Sequence, residues 1–183
     1  MENGKLGFLD RIVRMETPDR GGDRTPAEEA KARSSVRIRE LRHLALSWPL
    51  KKVRVTSPFG QRGREFHEGI DLHATGGTAV YAAHSGKVLY AGRKIRGYGN
   101  LVVIRHSSGL ATVYAHNSKN LVRQGGSVKR GQKIAISGNT GHVRGPHLHF
   151  EIRDGVAALD PMLVLPNTGG KFVAFEKHVA RRD

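Results

Sequence analysis

GPHLHFEIR, residues 145–153, alternates strictly once past its proline: Leu148, Phe150 and Ile152 are apolar, while His147, His149, Glu151 and Arg153 are polar. A period of two is the signature of a β-strand with one face on a core and the other turned away from it. Both imidazoles then leave the same face, about 7 Å apart at their Cα atoms for a rise of about 3.4 Å per residue. So placed, they can share one metal ion, or one can bind it while the other handles protons.

The same texture extends outward from this strand. Between Val53 and Ile152 the chain is a succession of short β-branched runs, VRVTS, TAVYAA, GKVLYAG, NLVVIRH, LATVYAH and KIAISG, separated by turn signals such as HSGK, HSSG and RGQK. Such spacing predicts an all-β domain of many short strands, a sandwich or barrel, over residues 48–166. Upstream, residues 1–24 are polar and read as a flexible segment. Thr25-Pro26-Ala27-Glu28 supplies an N-cap, a proline at the first helical position and a capping-box glutamate. A basic helix is therefore expected over 25–47, with Val36, Leu41, Leu44 and Ala45 as a narrow apolar stripe for packing on the domain or on a partner. Pro49 closes that region. Residues 167–183 read as a charged tail.

Composition excludes several classes. The 183 residues contain no cysteine, which removes disulfides, thiolate metal sites and cysteine nucleophiles. No apolar run is long enough to span a membrane, and the first 30 residues lack the hydrophobic region of a signal peptide. Neither a Walker motif nor G-x-S-x-G is present. The net charge is +15, and residues 48–166 hold 17 Lys/Arg against 6 Asp/Glu. A folded domain this basic favours a polyanionic partner. Nucleic acid is not expected, because neither clustered aromatics for base stacking nor a recognition motif accompanies the charge. Acidic cell-wall polymers and anionic membranes suit it as well.

A second motif supplies what the histidine strand lacks. FHEGIDLHA sets His67 four residues before Asp71, with Gly69 between them marking a turn into a strand. Two histidines with one carboxylate and no fourth protein ligand is the donor set of a catalytic zinc site with an open position for water. Hydrolysis also needs a group that takes and returns a proton near neutral pH. His116, at the end of LATVYAH, suits that task, alongside whichever of His147 and His149 does not bind the metal.

The blocks WPLKKVRVTSPFGQR, FHEGIDLHA, GKVLYAG, GYGNLVVIRH, TVYAH, VKRGQKIAISGNTG and GPHLHFEIR stand in the same order as in the lysostaphin-type (LytM-like) zinc metallopeptidases. The resemblance runs over roughly residues 48–165. It implies a compact antiparallel two-sheet β fold, sandwich or barrel-like, with a groove across one sheet, and one Zn2+ per chain held by His67, Asp71 and His149. It further implies a catalytic pair, His116 and His147, and hydrolysis of peptide bonds in the stems or cross-links of bacterial peptidoglycan by a metal-activated water. The implied location is the cell envelope, the periplasm or the exterior. A non-hydrolytic peptidoglycan-binding or hydrolase-activating member of the same fold is the rival; such members generally lose ligands, whereas all five positions are filled here. Many relatives carry small polar residues where this chain has Val143 and Arg144, so an altered groove wall is expected. Arg62, Asn100 and His142 are candidates for substrate contact along the groove. His73 is expected to be solvated, His84 to lie on a turn and His106 to be structural.

Overall fold

The computed structural model describes Leu41 and residues 45–167. The segment 1–24, most of the helix expected over 25–47 and all but the first residue of the tail lie outside the described residues. Residues 45–47, the end of that expected helix, are not helical; Ala45 has a φ of +48°.

Twelve strands follow: β1 (Val55–Ser57), β2 (Gly60–Arg62), β3 (Glu65–His67), β4 (Ile70–His73), β5 (Ala79–Tyr81), β6 (Gly86–Gly92), β7 (Asn100–Arg105), β8 (Leu110–Asn120), β9 (Ser127–Val128), β10 (Lys133–Ser137), β11 (His147–Asp154) and β12 (Ala157–Leu159). A 3-10 turn, Pro161–Leu163, comes after them. Ten strands form one antiparallel sheet along the path β1-β4-β11-β8-β7-β6-β9, with β12 added to β11 and β10 joining β8 to β5. β2 and β3 make a separate hairpin. The all-β, antiparallel expectation therefore holds, with the main ladder hydrogen-bonded as one continuous sheet.

β8 organises the domain. Its first part pairs with β11 and β7, and its far end pairs with β10. Alternation sends Leu110 and Tyr114 into the main core, with Leu148, Phe150 and Ile152 of β11 and Ile134 of β10. Ala111, Val113 and Ala115 point the other way, into a smaller cluster with Leu101, Val103 and Ile95. Tyr114 and Phe150 meet edge to face, 5.3 Å between ring centroids, an arrangement that adds to area burial.

The polar groups inside the main core are satisfied in series. The Tyr114 hydroxyl accepts from the Ala83 N–H at 2.8 Å and lies 2.9 Å from Thr112 Oγ1, which lies 2.9 Å from His106 Nε2. His106 Nδ1 donates to the Ser85 carbonyl at 3.0 Å. Only 4% exposed, His106 is structural, as expected. Burial lowers its pKa to about 4. The unfolded chain, at the ordinary value near 6.5, takes up that proton first as pH falls. Stability that is full above about pH 6.5 is thus lost on the way down to about pH 4, by up to about 3 kcal/mol. Urea unfolding at pH 7 and pH 4.5 should show His106→Gln losing less stability than the parent over this interval; parallel losses would contradict the burial argument.

β11 departs from the half-buried pattern its sequence suggests. Its polar face is buried too: Glu151 is 0% and Arg153 1% exposed. The strand runs between β4 and β8 in the middle of the sheet, and Tyr98 and Glu68 reach over its polar side.

Candidate metal and catalytic site

Two strands and one turn bring the histidine strand and FHEGIDLHA together. His67 ends β3, Glu68 and Gly69 turn the chain, and β4 then runs antiparallel to β11 with Asp71 opposite His149 and His73 opposite His147. The turn lies against β11: a Cβ at position 69 would sit 2.4 Å from the Phe150 carbonyl oxygen and 2.9 Å from Glu151 Cγ. Only glycine allows that approach. Gly69→Ala should force β4 away from β11, destabilise the domain by about 1–3 kcal/mol and weaken metal binding. Thermal unfolding and a metal titration read both effects, and a variant matching the parent in both would refute the packing argument.

The three expected ligands converge. His67 Nε2 lies 3.1 Å from Asp71 Oδ1 and 3.0 Å from His149 Nδ1, and His149 Nδ1 lies 2.9 Å from Asp71 Oδ1. A triangle of two ring nitrogens and a carboxylate oxygen this small lets one ion reach all three at the usual distances of about 2.0–2.2 Å. The opposite atoms of the imidazoles fix the tautomers. His67 Nδ1 donates to the Pro58 carbonyl at 2.6 Å, which leaves Nε2 for a metal. His149 Nε2 donates to Glu151 Oε1 at 2.9 Å, which leaves Nδ1. The trio can hold a metal ion, with the outer carboxylate that metal-binding histidines usually carry.

Electrostatics reinforce the cluster. Burial alone would raise the Asp71 carboxyl, but hydrogen bonds to His149 and His67 and their charge hold it far below the ordinary carboxylate range. Burial likewise disfavours the charged form of His149, yet its bonds to Asp71 and Glu151 raise it to about 9 without a metal. Glu151, which burial would raise, is held down at about 2 by its hydrogen bond to His149 and the charges of His149 and Arg153. Behind it stands a buried chain of ion pairs: Arg153 Nε donates to Glu151 Oε2 at 2.5 Å and Arg153 Nη2 to Glu68 Oε2 at 2.7 Å. Tyr98 donates its hydroxyl to Glu151 Oε1 at 2.8 Å. Because Glu68 follows His67 directly, Arg153 ties both ligand-bearing segments together.

His116 reaches the site through an irregularity. The β7–β8 register shifts between Asn100 and Val102, so Ala115 and His116 together oppose Leu101, a β-bulge. His116 adopts φ +63°, a conformation uncommon outside glycine. Strict alternation would send it into the core; the bulge brings its ring 4.8 Å from His147 and 5.8 Å from His149. Its Nδ1 donates to the Thr140 carbonyl at 2.8 Å, and His147 Nδ1 to the Gly145 carbonyl at 2.9 Å. In each neutral ring Nε2 remains an acceptor. Burial, the largest influence, lowers His116 to about 4, so it is neutral near pH 7. His147 Nε2 lies 3.6 Å from Asp71 Oδ1.

These groups line an open groove of about 920 Å³. His142 lines it too, its N–H donating to the Gly97 carbonyl at 2.9 Å. Arg62 also lines it; its Nη2 donates to Asp71 Oδ2 at 2.8 Å and lies 2.5 Å from Nδ1 and 3.0 Å from Nε2 of His67. Asn100 is not among the lining residues: its side-chain amide donates to the carbonyls of Asn117 and Ser118 and secures the bulge from beneath. His73 is exposed and bonded to Arg54. Sequence reasoning gave no role to Tyr98, Glu68, Glu151 or Arg153. The signal for the last two was present in HFEIR, where charges at the spacing of His149 had to share its face.

The groove of this antiparallel β domain thus gathers two histidines and an aspartate that can hold a metal ion, with two further histidines beside them. The chain belongs to Peptidase family M23, whose model matches residues 65–161, in agreement with the resemblance to lysostaphin-type proteins. It is 50% identical over 105 residues to the uncharacterized lipoprotein YgeR of Escherichia coli (57% of this chain, 41% of that one). It is 42% identical over 120 residues to the murein hydrolase activator NlpD of the same organism (65% of this chain, 31% of that one). The antimicrobial peptidase lysostaphin from Staphylococcus simulans shares the fold with a TM-score of 0.63 at 32% identity, covering 74% of this chain and 60% of that one. The chain thus spans well under half the length of these two curated relatives.

Proposed function

We propose that this domain is a zinc-dependent endopeptidase that hydrolyses peptide bonds in bacterial peptidoglycan, with His67, Asp71 and His149 as the metal ligands and His116 and His147 as the catalytic pair. The observation that carries the reading is the ligand triangle, its edges about 3 Å and its tautomers set by Pro58 and Glu151. Membership of a peptidase family, and the two paired imidazoles beside the triangle, support it.

Zinc, when bound, supplies a Lewis acid that polarises a carbonyl and makes a water a better nucleophile at neutral pH. The chain's own groups do the rest. His116, neutral because it is buried, accepts the attacking water's proton at Nε2. His147 presents Nε2 from the same side of the groove; protonated, it stabilises the oxyanion that develops on the scissile carbonyl. The proton then goes to the leaving amine, so that water is consumed and one amine and one carboxylate are formed. Action on the wall places the protein in the cell envelope or outside it; no helix among the described residues is long and apolar enough to cross a membrane.

Similarity to NlpD favours one rival, a domain that binds peptidoglycan and activates a separate hydrolase. Digestion of purified peptidoglycan, with products read by mass spectrometry, separates the two. The peptidase reading expects fragments with new amine and carboxyl ends whose release a zinc chelator stops. Intact wall with the zinc-loaded protein, and solubilisation only when a separate murein hydrolase is added, would establish the activator instead.

A further inference from the structure

The charge of the domain is segregated in a way that its total conceals. From residue 72 to residue 150 the chain contains 11 Lys/Arg and no Asp or Glu. Cations in this stretch can be neutralised only by the few carboxylates outside it. Of the four carboxylates lining the groove, Asp71 is engaged with His67, His149 and Arg62, Glu68 with Arg153, and Glu151 with His149 and Arg153, while Glu65 is exposed and pairs with neither Arg96 nor Arg144.

Two guanidiniums remain on one wall. Arg96 and Arg144 are exposed and line the groove, and neither has an ion-pair partner among the described residues. Their loops are locked to one another rather than free to drift. The His142 N–H donates to the Gly97 carbonyl at 2.9 Å, and the Asn100 N–H donates to Thr140 Oγ1 at 2.9 Å. Gly141, at φ +86°, lies so close that a Cβ would fall 2.5 Å from the Gly97 carbonyl oxygen. Arg96 precedes one side of this seam and Arg144 follows the other, so both are anchored to the same rigid edge. That wall also carries His147, so a group bound there lies beside the reacting centre. Guanidinium groups recognise carboxylates through paired N–H donors and gain most where they are otherwise unpaired.

We propose that Arg96 and Arg144 form a carboxylate-reading wall, so that the groove selects peptides carrying a free carboxylate close to the scissile amide over their amidated counterparts. The proposal rests on the peptidase reading for the identity of the scissile bond, but recognition itself does not require hydrolysis. The probe is a fluorescently labelled cross-linked peptide from peptidoglycan with its carboxylates free, together with the same peptide after conversion of those carboxylates to carboxamides. Fluorescence anisotropy in the interval before turnover reads affinity for the zinc-loaded protein, and hydrolysis is followed in the same samples. The free-carboxylate peptide should bind at least tenfold more tightly. Arg96→Gln with Arg144→Gln should bring the two peptides within about twofold of one another, whereas Lys119→Gln with Arg123→Gln, an equal change of charge away from the groove, should preserve the preference. Equal binding of both peptides by the parent, failure of the free-carboxylate peptide to bind, or a preference that survives in the Arg96/Arg144 double variant would overturn the wall. Preferential binding without hydrolysis would leave the wall standing and overturn the peptidase reading alone; hydrolysis of both peptides without preference would do the reverse.

Discussion

Glu151→Ala is expected to destabilise the domain by about 3–5 kcal/mol, the range for removing one partner of a buried ion pair. Glu151 is fully buried, and so is Arg153, whose Nε bonds to it. Truncation removes the acceptor for three donors at once: Arg153, His149 Nε2 and the Tyr98 hydroxyl. Arg153 keeps Glu68, a partly exposed partner, which offsets only part of the desolvation of its charge. Metal binding should suffer separately from stability. Glu151→Gln preserves the shape and still offers an oxygen to His149 and Tyr98, yet removes the negative charge that orients the imidazole and makes it a better donor. A fall of about 10–100-fold in zinc affinity is expected for Gln, with a smaller loss of stability than for Ala. Denaturant unfolding and zinc titration of both variants measure the two effects. If Glu151→Ala unfolded at the parent's midpoint, the network would not be part of what holds β11 in place.

The second large effect concerns His116. Its replacement by alanine should reduce peptide hydrolysis by about 10²–10⁴-fold while one zinc per chain is retained, since the ligand triangle does not include it. The backbone sharpens this expectation. His116 holds a positive φ that costs a non-glycine residue of order 1–3 kcal/mol, and the bulge that imposes it aligns the ring with His147. His116→Gly should therefore be catalytically as poor as His116→Ala but the more stable of the two. Hydrolysis rates, bound zinc and unfolding midpoints for the pair test the claim. Loss of zinc from His116→Ala, or hydrolysis at the parent's rate, would move proton transfer to another group.

Much of this centre was legible in the sequence because its determinants are local. Alternation in HLHFEIR set His147 and His149 on one face, and the glycine in FHEGIDLHA marked the turn that lets His67 and Asp71 approach. The family resemblance implied which histidines are ligands and which are partners, a choice that spacing alone left open. What escaped was tertiary. Glu151 and Arg153 read as the outward face of a half-buried strand, and only the placement of β11 between β4 and β8, under Tyr98 and Glu68, buries them. Asn100 reads as a candidate for substrate contact; its amide proves to be taken up by the carbonyls of Asn117 and Ser118. The bulge at His116 carries no glycine to announce it, so period two would have pointed that side chain into the core. Arg62, a candidate for substrate contact, lines the groove and also bonds to Asp71, a tertiary contact that the sequence does not show.

The most direct test of the account is to titrate zinc into the metal-free protein while following peptide release from purified peptidoglycan. Hydrolysis should rise in proportion to bound zinc and level off at one ion per chain, and His149→Ala should neither bind zinc at that stoichiometry nor release peptide. Hydrolysis that is independent of zinc, or a chain that binds one zinc through His149 and releases nothing, would contradict it.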